Sequence, residues 1–113
     1  MEFQFTRVEQ KINFKLPGGN GFLPHQDAPA FNSFDQTYHI TMMVSIDACN
    51  MENGCLEMVP GHHRQGILPT AADATIDPDI AETLTWKLLP SEIGDIVFFD
   101  SFIPHRSGPN RSD

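Results

Sequence analysis

Cysteine is scarce in this 113-residue chain, which holds only Cys49 and Cys55. That is too few for a disulfide framework, and Met1-Glu2-Phe3-Gln4-Phe5 has neither the basic region nor the long apolar stretch of a secretory signal. Both thiols are therefore expected to be free, and the chain to be intracellular and cytoplasmic. Basic residues are also few, seven against fifteen acidic ones for a formal net charge of -8. They are scattered and form no stripe, which argues against nucleic acid as a partner. No apolar run approaches the roughly 18 residues that cross a bilayer, so no membrane span is expected. Heptads, internal repeats and low-complexity segments are missing as well. What remains, with 40% hydrophobic residues and nine Phe, is enough for one modest core and one domain over residues 1–113.

Short strand-like runs alternate with turn chemistry along that domain. Lys11 to Leu16 alternates polar and apolar residues and stops at Pro17-Gly18-Gly19-Asn20-Gly21, which reads as a strand and then a loop. Tyr38 to Asp47 is the clearest strand. Tyr38, Ile40, Met42, Val44 and Ile46 share one face, expected to pack, while His39, Thr41, Met43, Ser45 and Asp47 face solvent or a polar cavity. Asn53-Gly54 predicts a reversal that feeds a strand from Cys55 to Val59, ended by Pro60-Gly61. Gln65 to Thr75 has no period and reads as loop. Asp77-Pro78 has the pattern of an N-cap followed by proline at the first helical position, predicting a short helix through about Leu84. Trp86–Leu89 and Asp95–Phe99 are two further strands, with Trp86, Phe98 and Phe99 expected in the core. Many short strands with Gly and Pro turns and one small helix predict a mainly β chain, a sandwich or jelly roll.

The chemistry-bearing residues are His25 and Asp27 in Leu23-Pro24-His25-Gln26-Asp27, and His105 in Ile103-Pro104-His105-Arg106-Ser107. On an extended strand, residues i and i+2 point to the same face, so His25 and Asp27 can grip one ion from one side. His105 must reach it from another strand. Two imidazoles and one carboxylate, with the opposite half of an octahedron left open, form the ligand set of non-haem Fe(II) oxygenases. Taken alone, His25 and Asp27 would fit a surface turn better than a metal site; His105 in its block reverses that. His62 and His63 are adjacent, diverge on any strand and have no carboxylate or thiol at ligand spacing, so they read as a turn. Asp95 and Asp100 read as turn and edge residues, and Cys55 as a small core residue.

Four blocks occur in order: His25-Gln26-Asp27, Glu52-Asn53-Gly54-Cys55-Leu56-Glu57-Met58-Val59-Pro60-Gly61-His62-His63, Gly94-Asp95-Ile96-Val97-Phe98-Phe99-Asp100, and Pro104-His105-Arg106-Ser107-Gly108-Pro109-Asn110. Together they resemble the phytanoyl-CoA dioxygenase family from about Lys11 onward. The resemblance implies a double-stranded β-helix of the cupin-like, jelly-roll kind, and an Fe(II)- and 2-oxoglutarate-dependent dioxygenase. Such an enzyme consumes O2 and converts 2-oxoglutarate to succinate and carbon dioxide while hydroxylating a C–H bond of a small organic substrate. His25, Asp27 and His105 would hold the iron. Ser107 would help to bind the 2-oxoglutarate carboxylate, and Lys15 matches a basic position that reaches the same co-substrate. Family members act on fatty acyl-CoA, on small polar metabolites such as ectoine or aminoethylphosphonate, and on secondary metabolites. Phe22, Phe31 and Phe34 would suit an apolar mouth, or simple packing.

One departure from the family pattern limits what this implies. The family pairs the far carboxylate of 2-oxoglutarate with an arginine about eleven residues past the second iron histidine, where a bidentate fork suits it. That position falls beyond Asp113. Arg111 has the opposite strand parity, and Arg106 adjoins the iron ligand. Members are also longer on the N-terminal side, so the chain reads as the central part of a dioxygenase domain, an incomplete jelly roll lacking both ends. Two other readings stay open: a metal-binding remnant without turnover, and a cupin-like β-domain with no oxygen chemistry.

Overall fold

The computed structural model of the chain describes residues 11–31 and 39–113. Within them the elements run β1 (Phe22–His25), α1 (Ala28–Phe31), β2 (Ile40–Val44), β3 (Leu56–Met58), a 3-10 turn at His62–Arg64, α2 (Pro78–Thr83), β4 (Lys87–Leu89), β5 (Ile96–Asp100) and β6 (His105–Ser107). The strands form a four-stranded sheet in the order β1-β6-β3-β4 and a two-stranded ribbon of β2 and β5. All described pairings are antiparallel. Neighbours in space are thus far apart in sequence, as a jelly roll requires.

Local chemistry explains most boundaries. Asp77 caps α2 by accepting a hydrogen bond from Asp79 N at 2.9 Å, and Pro78 opens the helix where no backbone donor is needed. Gly54 and Gly61 both have positive φ, 86° and 78°, and bracket β3 at its two ends. Asp95 and Asp100 hold turns, accepting from Glu92 N and Phe102 N at 2.8 Å each. Cys55, Met58, Val59, Ile76, Ala81 and Ile103 are buried and make the core.

Several expectations fail. Lys11 to Leu16 is not a strand. Its described hydrogen bonds are those of the Lys15 ammonium, the Asn110 side chain's to Lys15 O and the Gly19 backbone's to Leu16 O, while Ile12, Phe14 and Leu16 stay exposed. Alternation alone cannot make a strand without an edge to pair with. The strand expected from Tyr38 forms only over Ile40–Val44, and Tyr38 lies outside the described residues. A second short helix, α1, follows β1 where only one helix was expected in the chain.

The largest correction concerns which way the β2–β5 ribbon faces. Ile40, Met42 and Val44 on β2 and Ile96 and Phe98 on β5 are exposed, Phe98 at 66%, whereas Thr41, Met43, Val97 and Phe99 are half-buried. Ile46, beyond β2, is exposed as well, and Phe98 is therefore not a core residue. The alternate face turns inward, and Thr41 has a partner there, described next. No described residue covers the apolar face.

Candidate metal centre

β1 and β6 pair with Phe22 opposite Ser107 and His25 opposite His105. Between those pairs β1 advances one residue more than β6, so β1 carries a bulge that re-aims its end. His25 is thereby brought beside His105, with ring centroids 4.2 Å apart. Asp27 stands just past β1, at the start of α1, and points to the same place. His105 comes from β6, which β1 and β3 flank.

One ligand atom from each of His25, Asp27 and His105 lies within 4.8 Å of the other two. Asp27 Oδ1 is 3.6 Å from His25 Nε2 and 3.4 Å from His105 Nε2. Two donors each about 2.1 Å from one ion, at angles between octahedral and tetrahedral, sit roughly 3.0–3.4 Å apart, so a small inward movement suits the set to a metal. Orientation suits it too. His25 Nδ1 meets Leu23 O at 2.7 Å and His105 Nδ1 meets Ile103 O at 3.0 Å, so each Nδ1 carries a proton and each Nε2 is the nitrogen turned toward the shared space. Thr41 Oγ1 donates to Asp27 Oδ2 at 3.4 Å, which leaves Oδ1 as the inward oxygen. Phe99 packs against His105, its ring centroid 4.9 Å away.

The three groups shift one another's protonation. For Asp27, burial would raise the carboxyl's pKa, but the His105 hydrogen bond and charge, together with His25, outweigh burial and hold it below the usual value. Burial would likewise lower His105, and Asp27 reverses that and lifts it. Burial, then the neighbouring His105, lowers His25. An anionic carboxylate facing two imidazoles is ready for a metal once His105 has lost its proton.

Lys15 and Ser107 also come together. Lys15 Nζ donates to Ser107 Oγ at 2.7 Å, to Gly108 O at 2.8 Å and to Gly54 O at 3.0 Å, which engages all three ammonium donors. Burial lowers the Lys15 pKa. Gly21 and Gly54 make this closeness possible: a Cβ at Gly21 would strike Ser107 O, and one at Gly54 would strike Gly108 O. Phe22 lies beneath the ammonium, which is 5.7 Å from the ring centroid. Phe34 and the side chain of Phe31 lie outside what the structure describes, so an apolar mouth has only the exposed Phe22 to represent it.

The two arginines weighed from the sequence are elsewhere. Arg106 faces away from His105 and makes a two-pronged pair with Glu57, Nε to Oε2 and Nη2 to Oε1 at 3.1 Å each, while its guanidinium stacks 4.2 Å from the Trp86 ring centroid. Arg111 lines a surface groove with Glu57 and Leu88, and its N–H donates to Glu52 O. His62 and His63 form the 3-10 turn and belong to no described metal cluster. Sequence reasoning missed Thr41 and Gln26. Thr41 was visible as a polar member of the β2 alternation, and Gln26 as the polar residue between two ligands.

A profile of the phytanoyl-CoA dioxygenase family matches residues 3–113. The chain belongs to that family. It is 53% identical over 110 residues to the 2-aminoethylphosphonate dioxygenase of uncultured bacterium HF130_AEPn_1, covering 97% of this chain and 42% of that one. It is 43% identical over 104 residues to the methylphosphonate hydroxylase of Gimesia maris, covering 92% and 39% respectively. The chain thus spans about two-fifths of the length of these curated relatives. Among solved structures, EvdO2 of Micromonospora carbonacea var. aurantiaca complexed with 2-oxoglutarate superposes with a TM-score of 0.69 at 28% identity, over 88% of this chain and 43% of that one. The family fold is therefore the jelly roll expected from the sequence, and the four-stranded sheet and the ribbon are parts of it. No described helix is long and apolar enough to cross a membrane.

Proposed function

We propose that this chain carries the iron- and 2-oxoglutarate-binding centre of a dioxygenase that hydroxylates a small organophosphonate. The observation that carries the reading is the convergence of His25 Nε2, His105 Nε2 and Asp27 Oδ1 on one space, with both Nδ1 atoms and Asp27 Oδ2 engaged elsewhere. In this reading His25, Asp27 and His105 are the iron ligands. Lys15 and Ser107 receive a carboxylate of 2-oxoglutarate, Lys15 by redirecting donors now spent on Gly54 and Gly108. Bound Fe(II) and 2-oxoglutarate would supply the oxygen-activating chemistry. The chain's own part is to bind, orient and shield, with Phe99 walling His105 and Thr41 keeping Asp27 turned toward the ion. The phosphonate class is supported by the names of the two relatives at 53% and 43% identity.

A second reading has its own observation. Arg106 is spent on Glu57 and Trp86, and Arg111 lines a groove on other residues, so neither stands ready for the far carboxylate of 2-oxoglutarate. The second reading is metal binding without turnover, with these two arginines kept by their present partners. The purified chain, given Fe(II), 2-oxoglutarate, O2 and 2-aminoethylphosphonate, tests both. Succinate formation together with a shifted phosphorus resonance supports the first reading. Iron binding with no succinate supports the second, and no tight divalent metal binding overturns both.

A further inference from the structure

Between His25, the last residue of β1, and Asp27 lies a residue that points the other way. Gln26 is 6% exposed, and its amide is matched to three backbone groups. Nε2 donates to Phe102 O at 2.8 Å and to Gly66 O at 2.9 Å, and Oε1 accepts from Leu68 N at 2.9 Å. An amide has two N–H donors and one carbonyl, and here it meets two carbonyls and one N–H. The partners are not arbitrary. Phe102 belongs to the turn between β5 and β6 that leads directly into His105. The adjacent Ala28 N donates to Ser101 O at 2.9 Å in the same turn, and Ser101 N donates to His39 O at 3.1 Å, at the entry to the strand that bears Thr41.

We propose that Gln26 is a positioning residue for the metal centre, a buried amide that ties the segment carrying His25 and Asp27 to the turn that delivers His105. The proposal rests on the metal reading of those three residues. Its physical basis is preorganisation: the three donors come from two distant parts of the chain, and without a fixed strut the ion itself would have to order them. Glutamine suits the task and its near relatives do not. Glutamate has the same shape but would turn an acceptor toward Phe102 O and Gly66 O, and methionine fills the volume with no donor at all.

Cobalt(II) binding to this chain, followed by calorimetry and by the visible spectrum, tests it alongside the melting temperature of the metal-free protein. Gln26→Met and Gln26→Glu are expected to weaken cobalt binding about tenfold or more and to alter the visible bands, the range seen when groups behind metal ligands are changed. Ala81→Gly on α2, which loosens a helix that supplies no ligand, is expected to lower the melting temperature with affinity and spectrum intact. Gln26→Glu keeps the bond to Leu68 N and serves if Gln26→Met does not fold. Parental affinity and spectrum in a folded Gln26 variant would overturn the proposal, as would an equal loss of affinity in Ala81→Gly. Failure of the parent chain to bind cobalt would instead sink the metal reading and the strut with it.

Discussion

β6 and the β2–β5 ribbon are held in opposite ways. β6 is flanked on both edges by β1 and β3, its outer residue Arg106 is clamped by Glu57 and Trp86, and its inner residues His105 and Ser107 each meet a polar partner. The strands of the ribbon pair only with each other among the described residues, and one whole face of them is apolar and exposed. The inner face of the ribbon serves the site through Thr41 and Phe99, while the side chains of its outer face are largely exposed. Interactions thus concentrate around His25, Asp27 and His105 rather than around the largest apolar surface. If that is what the sheet is built for, substitutions around β6 must cost far more than substitutions on the outer ribbon.

The sharpest break in the comparison is ligand removal. Asp27→Ala and His105→Ala are each expected to weaken divalent metal binding more than about 100-fold, beyond what loss of a supporting group does. Met42→Thr on the outer ribbon should leave metal affinity at the parental value. Calorimetric titration with cobalt(II) measures all three. Parental affinity in Asp27→Ala would remove the carboxylate from the ligand set.

How far this contrast could be read in advance differs by residue. His25, Asp27 and His105 were legible because i, i+2 spacing and residue type together constrain what they can do, and Lys15 and Ser107 came from the family resemblance. Asp77-Pro78 was legible because capping is local chemistry. Lys11–Leu16 misled, since its alternation satisfies a strand pattern while pairing depends on an edge that no local signal reveals. Alternation in β2 identified two faces, but the apolar one expected to pack is the one that turns outward. The inward face is the one whose Thr41 meets a distant carboxylate, Asp27, a contact that no local pattern announces. Gln26 and Thr41 were invisible as partners because hydrogen bonds between residues far apart in sequence leave no periodic trace.

The clamp behind His105 gives the next largest effect. Arg106→Leu is expected to destabilise the chain by about 1–2 kcal/mol, combining a bidentate charge pair with a stacked guanidinium. Glu57→Gln should cost less, about 1 kcal/mol, because the cation–π contact survives. Urea unfolding followed by the fluorescence of Trp86, the single tryptophan, reports both. No change in the Arg106→Leu midpoint would mean that the neighbouring strands alone hold β6.

Proton linkage sharpens the same contrast on a smaller scale. Asp27 lifts His105 above the ordinary histidine value of 6.5, so in the metal-free chain His105 keeps its proton to a higher pH and must lose it when metal enters. His25 is lowered, so it gives up its proton before His105 does, and Asp27 is held below the ordinary carboxylate value. Metal binding near pH 6.5 should therefore release up to about one proton, with affinity rising up to tenfold per pH unit until His105 is deprotonated, and flattening above that. Calorimetry in buffers of different ionisation enthalpy counts the protons. A pH-independent affinity between about 6 and 8 would show that the Asp27–His105 contact does not govern entry.

The smallest expected effect tests the other side of the comparison. Phe98 and Met42 are paired across β2 and β5 and both are exposed, Phe98 at 66% and Met42 at 58%. Side chains this exposed lose little buried area when shortened, and threonine is a good strand former, so Phe98→Thr and Met42→Thr should each change stability by no more than about 0.5 kcal/mol. The double variant should also raise solubility, since Ile40, Met42, Val44, Ile96 and Phe98 form a contiguous apolar patch of the kind that drives association. Urea midpoints and the concentration at which the chain begins to scatter light give the two readings. A loss of 2 kcal/mol or more at Phe98 would mean that the face is covered in solution, and the ribbon would then be held as firmly as β6.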